Sequence, residues 1–158
     1  MITLINQQLL DEVCAEAKAA PRGRKNRNFH PDNDYPAHRL LNAIEPGSYI
    51  APHRHAPNTK DETMVVLQGA LGLVAFDEAG NVTQCTRLEA GGNAMGCDIP
   101  HGVFHTVFAL APNTIFLEAK SGPWAPLTEA EKAPWAPQEG DATAAAYLQS
   151  LTSRFTDQ

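Results

Sequence analysis

Apolar positions in residues 4 to 20 recur at a helical interval. Ile5, Leu9, Val13 and Ala17 share one stripe and Pro21 ends it, which predicts a helix over about 4–20. PRGRKNRNFH (21–30) has no stripe, and its basic residues, Gly and Asn read as a loop or an extended arm. From about residue 38 the pattern becomes one of short segments rich in β-branched, aromatic and aliphatic residues. These are HRLLNAI (38–44), SYIAPHRH (48–55), ETMVVL (62–67), LGLVAF (71–76), VTQCTRL (82–88), NAMGCDI (93–99), VFHTVFAL (103–110) and TIFLEAK (114–120). Turn residues such as Pro46-Gly47, Gly69 and Gly91-Gly92 separate them. No helix-length segment lies between the strands, which disfavours a parallel α/β fold. Eight short strands at this spacing predict a sandwich or small barrel, and a double-sheet jelly roll has that number. After Lys120, SGPWAPLTEAEKAPWAPQEGD reads as an ordered Pro/Trp-rich tail laid across the barrel, with Trp124 and Trp135 as packing anchors. Residues 141–155 predict a final helix, with Asp141 as N-cap and Ala145, Leu148 and Leu151 as its apolar stripe. The expectation is one all-β domain over 1–158, with the barrel at about 38–120.

Composition narrows the class. A chain of 158 residues is long enough to bury a core as a single domain. A formal charge of −6 argues against a nucleic-acid binder. Cys14, Cys85 and Cys97 are odd in number and widely spaced, with no zinc-ribbon pattern, as expected of a reduced protein. The first residues do not read as a signal peptide, and no apolar run approaches the roughly 20 residues of a membrane span. A cytoplasmic protein without a membrane partner is the resulting expectation.

The chemistry is concentrated in PHRHAPNTKDE (52–62). On a strand, His53 and His55 would project from the same face. Two adjacent imidazoles on one face suit a metal ion, and Glu62 opens the following strand. His105 interrupts the apolar run VFHTVF, an unusual place for histidine unless it faces something polar. Three imidazoles and a carboxylate favour one divalent transition metal ion (Zn, Fe, Mn, Ni or Cu) over Mg or Ca.

The spacing Gly47-x5-His53-Arg54-His55-x6-Glu62-x6-Gly69, followed by Pro100-His101-Gly102-xx-His105, resembles the two motifs of the cupin superfamily. That resemblance implies a jelly-roll barrel whose metal ligands are His53, His55, Glu62 and His105. The interval before Glu62 is longer than the general pattern, and Asp61 beside it is a rival carboxylate. The first glycine and the final asparagine of the second motif fall at Ala94 and Ala109. RGRKNRNFHPDNDYPAHRLLNAIEPGSYIAPHRH, KDET, FDEAGNV, LEAKSGPW and APWAPQEG are further similar to the WbuC family of cupin-fold metalloproteins. That family is associated with bacterial O-antigen clusters, so the resemblance implies surface polysaccharide biosynthesis.

Other residues compete for roles around such a site. Arg24 and Arg27, with Asn28 and His30, would hold an anionic ligand group if the basic arm reaches the barrel mouth; otherwise the arm is a solvated loop. His101, Tyr49 and Glu118 are candidate proton-transfer groups. An exposed turn histidine, core packing and a rim ion pair with Lys120 are their respective structural alternatives. His38 has no expected role. Two functions of different class follow. One is a metal-dependent enzyme acting on a sugar or nucleotide-sugar, isomerase- or epimerase-like, with a dioxygenase as runner-up. The other is a binding module for a small sugar-like or anionic ligand. A homodimer is expected in either case.

Overall fold

A computed structural model describes residues 1–156. The elements in chain order are α1 (Gln7–Ala19), β1 (Arg24–Asn28), β2 (Ala37–Ile44), β3 (Glu62–Gln68), β4 (Ala70–Phe76), β5 (Val82–Glu89), β6 (Gly96–Ile99), β7 (Phe104–Ala109), β8 (Thr114–Ser121) and α2 (Ala144–Thr152). The strands form two antiparallel sheets, one ordered β1-β2-β8-β3-β6 and one ordered β5-β4-β7. This is a single cupin jelly-roll barrel, flanked by a helix near each end of the chain.

Alternation along the strands explains the layers. On β4, Leu71 and Leu73 face the larger sheet; on β7, Val107 and Ala109 do the same. They meet Met64, Val66 and Phe116 from the larger sheet in one apolar core. The opposite faces of β4 and β7 present Val74, Phe76, Phe104 and Phe108 to α2 and the tail. Strands β4 and β7 are thus buried on both sides, which is why LGLVAF is nearly continuously apolar. Gly72 is required there, because a Cβ would stand 2.5 Å from the Phe108 ring. The outer face of the larger sheet carries Leu41, Ala43 and Ile115, covered by Leu10, Val13, Cys14 and Ala17 of α1.

Four local expectations change. The stretch 48–55 is not a strand; His53 makes isolated bridges to His105 and Lys132, and Pro52 removes a ladder donor. The eighth strand is instead the arm, whose β1 pairs with β2 along its length. Helix α1 starts at Gln7, with Asn6 accepting from the Leu9 N–H at 3.0 Å, and Ile5 lies outside it and exposed. Asp141 is not the cap of α2, which is Thr143; Asp141 accepts from the Gln138 N–H at 2.7 Å and closes the preceding turn. Among the described residues no helix is long and apolar enough to cross a membrane.

Candidate metal centre

Three elements bring the predicted ligands together. The irregular segment after β2 carries His53 and His55, and its bridge to β7 sets His53 against His105 with ring centroids 4.8 Å apart. The His53 and His55 centroids are 5.4 Å apart. Glu62 opens β3, opposite Lys120 on β8 and Ile99 on β6. Its Oε2 lies 3.3 Å from His55 Nε2 and 3.1 Å from His105 Nε2. Ligand atoms of His53, His55 and Glu62 fall within 4.8 Å of one another. Asp61 is excluded from the group: it is exposed and accepts from both the backbone N–H and the ring of His101 at 2.8 Å.

The hydrogen bonds of the rings fix what they present. His53 Nδ1 donates to the Ala51 carbonyl at 3.0 Å, and His105 Nδ1 donates to the Val103 carbonyl at 2.9 Å. Each ring therefore turns the Nε2 lone pair inward when neutral. Burial, and then the neighbouring His105, push His53 down to about 4, so it is neutral at physiological pH. His55 Nε2, His105 Nε2 and Glu62 Oε2 are buried without a hydrogen-bond partner. Acceptors facing one another in a dry pocket call for a cation between them. The donor set, three imidazoles and a carboxylate, fits a divalent transition ion, and the inter-ligand distances of 3.1 and 3.3 Å suit bonds of about 2.0–2.2 Å.

Behind Glu62 lies a charged group in which the sequence offered Glu118 as a proton-transfer candidate or as a rim pair with Lys120. Lys120 Nζ contacts Glu62 Oε1 at 3.1 Å and Glu118 Oε1 at 2.7 Å, and Asn42 donates to Glu118 Oε2 at 2.7 Å. Burial alone raises the Glu62 carboxyl, but its contacts with His105 and His55 and the Lys120 ammonium hold it well below the usual range. Burial, then the adjacent Glu62, push Glu118 up to about 7. Burial opposes the charge of Lys120, yet Glu118 and Glu62 push it up to about 12.

A carboxyl raised on folding loses its stabilising contribution as pH rises through its folded value. His53, lowered on folding, changes in the opposite sense between about 6.5 and 4 and obscures the effect in a single profile. The metal-free Glu118→Gln variant isolates it. Relative to wild type, this variant gains stability as pH rises from about 4.5 to about 7. Urea denaturation at three pH values in that window measures the difference, and a difference constant with pH would remove Glu118 as the raised group.

The remaining candidates separate. Glu118 and Lys120 lie at the site. Tyr49 does not share the histidines' face: its hydroxyl donates to the Pro137 carbonyl at 2.6 Å, and its ring packs edge-on against Tyr147. Burial raises the phenol further, so Tyr49 supports the tail rather than moving protons. His101 is exposed and held by Asp61. Arg24 is tied to Glu139 at 2.6 Å and Arg27 to Glu16 at 2.6 Å, so both anchor the arm to its surroundings. Asn28 and His30 do border a cleft that also reaches Glu118 and Lys120. His38, given no role, is buried there and stacks on His30 with centroids 3.9 Å apart. Trp135 is an anchor, against Phe76 and Phe104, but Trp124 is 57% exposed at the mouth of the site. Lys60 also lines that mouth, and the sequence offered no signal for it beyond its charge.

The barrel is a cupin-type jelly roll that carries a candidate three-histidine, one-carboxylate metal centre. The chain belongs to the family described as a domain of unknown function, DUF6016, which matches residues 5–88. No curated protein matches in sequence. Among solved structures, KdgF from Halomonas sp. is similar over 65% of this chain and 82% of that chain, at 20% identity and a TM-score of 0.51. The pro-11S globulin of pumpkin is similar over 68% of this chain and 28% of that chain, at 15% identity and a TM-score of 0.53. A cupin-2 domain containing protein from Shewanella frigidimarina covers 61% of this chain and 79% of its own, at 24% identity and a TM-score of 0.46. At these identities the likenesses to KdgF and the pumpkin globulin bear on the fold alone.

Proposed function

We propose that this protein is a metal-dependent cupin that binds one divalent transition ion (Zn, Fe, Mn or Ni) through His53, His55, Glu62 and His105. Its proposed activity is isomerisation or epimerisation of a sugar or nucleotide-sugar for surface polysaccharide. The observation that carries the metal reading is the pair of backbone carbonyls, Ala51 and Val103, that fix the His53 and His105 tautomers with Nε2 free. A metal bound there supplies Lewis-acid polarisation of a carbonyl oxygen. Glu118, buried and raised towards neutrality, is suited to accept a proton from the carbon beside that carbonyl and return it to a neighbouring atom. Lys120 holds both carboxylates in place and stabilises negative charge nearby. The likeness to WbuC proteins supports the polysaccharide context, and the unpaired Cys14, Cys85 and Cys97 suit a reducing cytoplasm. The homodimer is part of the same proposal, since exposed Ile2 and Leu4 give a second copy apolar surface to cover.

A second reading is supported by the positions of Tyr49 and His101. With both directed elsewhere, Glu118 is the remaining proton-transfer candidate of the three, and a binding module needs none. Incubating the metal-loaded protein in D₂O with a panel of aldoses, ketoses and nucleotide-sugars separates the two. The enzyme reading expects deuterium at carbon-bound positions, detected by NMR and lost in Glu118→Gln with metal retained. Binding without exchange would transfer the assignment to the module.

A further inference from the structure

The metal centre opens into a cleft of about 330 Å³, within the range of small-molecule sites. One wall is the tail after β8. Its backbone is pinned to the loop before β2: Gly122 N–H donates to the Pro36 carbonyl at 2.9 Å, and Trp124 N–H to the Asn33 carbonyl at 2.7 Å. A fixed backbone thus carries an indole that remains 57% exposed. The same motif eleven residues later packs a half-buried Trp135 against Phe76 and Phe104. Holding a large aromatic side chain in water at the rim of a polar cleft offers a flat surface for the apolar face of a ring.

The rest of the lining is polar and charged. Lys60 donates to the Pro123 carbonyl, and among the described residues it has no carboxylate partner, which leaves an ammonium at the mouth free to meet an anion. Deeper, His53 and His55 border the same cleft. It continues past His38 and Asn26 into a second compartment of about 250 Å³ containing the stacked His30 and Asn28. Other cations near this mouth already meet carboxylates: Arg22 and Arg24 share Glu139, and Lys120 lies between Glu62 and Glu118. A divalent ion held by His53 and His55 would add positive charge beside the cleft.

We propose that Trp124 and Lys60 are the specificity determinants of this cleft, and that its ligand is an anionic sugar. In this arrangement the sugar ring lies on the indole, and its carboxylate or phosphate meets Lys60. Binding is coupled to the metal, which adds positive charge beside the cleft. The inference rests on the metal reading above and adds to it a ligand class and two residues outside the proposed coordination sphere.

Calorimetric titration of the zinc-loaded protein with D-glucuronate, D-glucose 6-phosphate and D-glucose tests it, with zinc content measured on every sample. At least one anionic sugar is expected to bind about ten-fold or more tightly than glucose; which one distinguishes a carboxylate from a phosphate ligand. Lys60→Met is expected to abolish that preference, and Trp124→Ala to weaken the favoured sugar about two- to ten-fold, both with zinc content unchanged. Equal affinity for glucose, no binding of any of the three, or insensitivity to both substitutions would overturn the ligand assignment while leaving the metal site standing. Failure to take up zinc would overturn the metal reading and this one with it.

Discussion

Replacing His53 and His105 together with alanine is expected to lower bound metal from about one equivalent per chain to below about a tenth of one. Both rings are oriented by carbonyls of their own neighbouring residues, Ala51 and Val103, and neither Nε2 has another use in the fold. The remaining His55 and Glu62 form a two-donor site that cannot compete with buffer or water for a divalent ion. The variant should still fold, because Leu71, Leu73, Met64 and Phe116 make the barrel core without either imidazole. Wild type should gain thermal stability on adding metal, by mass action on the folded state, and the variant should gain none. Elemental analysis of untagged protein and melting curves with and without zinc measure both quantities. A variant that kept its metal would locate the ion elsewhere in the chain.

The strands of the barrel were legible as short runs of β-branched, aromatic and aliphatic residues between turn signals. His105 stood out as a polar residue within the apolar run of β7, which is buried throughout. What was not legible depends on partners distant in sequence. RKNRN has no apolar face, so nothing local marks it as a strand; β2 supplies its ladder, while Glu16 and Glu139 pair with its arginines. The segment 48–55 looked like a strand from its composition, yet only His53 bridges to a neighbour. Tyr49 and the histidines therefore point to different surroundings, while His53 and His55 still converge with Glu62. The two Trp-Ala-Pro motifs are locally identical and end in opposite environments, which only tertiary contact decides. Glu118 and Lys120 share a face of β8 by parity, but their burial follows from registry with Met64 and Glu62 on β3.

That registry makes Lys120→Met the most damaging single change at the site in the metal-free protein. Lys120 is the ammonium shared by two carboxylates that are almost fully buried, at 3.1 Å from Glu62 and 2.7 Å from Glu118. Methionine fills a similar volume, so packing changes little, but two acidic groups then face one another with no cation between them. Removing one partner of a buried pair costs about 3–5 kcal/mol, because the charge left behind has lost its water and its counter-ion. The loss has a signature in pH. Without the ammonium the Glu118 carboxyl rises further above its unfolded value, so stability is lost as pH rises through the folded value, and the deficit at pH 8 should exceed that at pH 5. Zinc should recover part of it in the variant, since an ion held by Glu62 restores a positive charge beside Glu118. Urea denaturation at the two pH values, with and without zinc, gives the four numbers required. A deficit independent of both pH and metal would place the role of Lys120 in packing and withdraw the electrostatic account of this group.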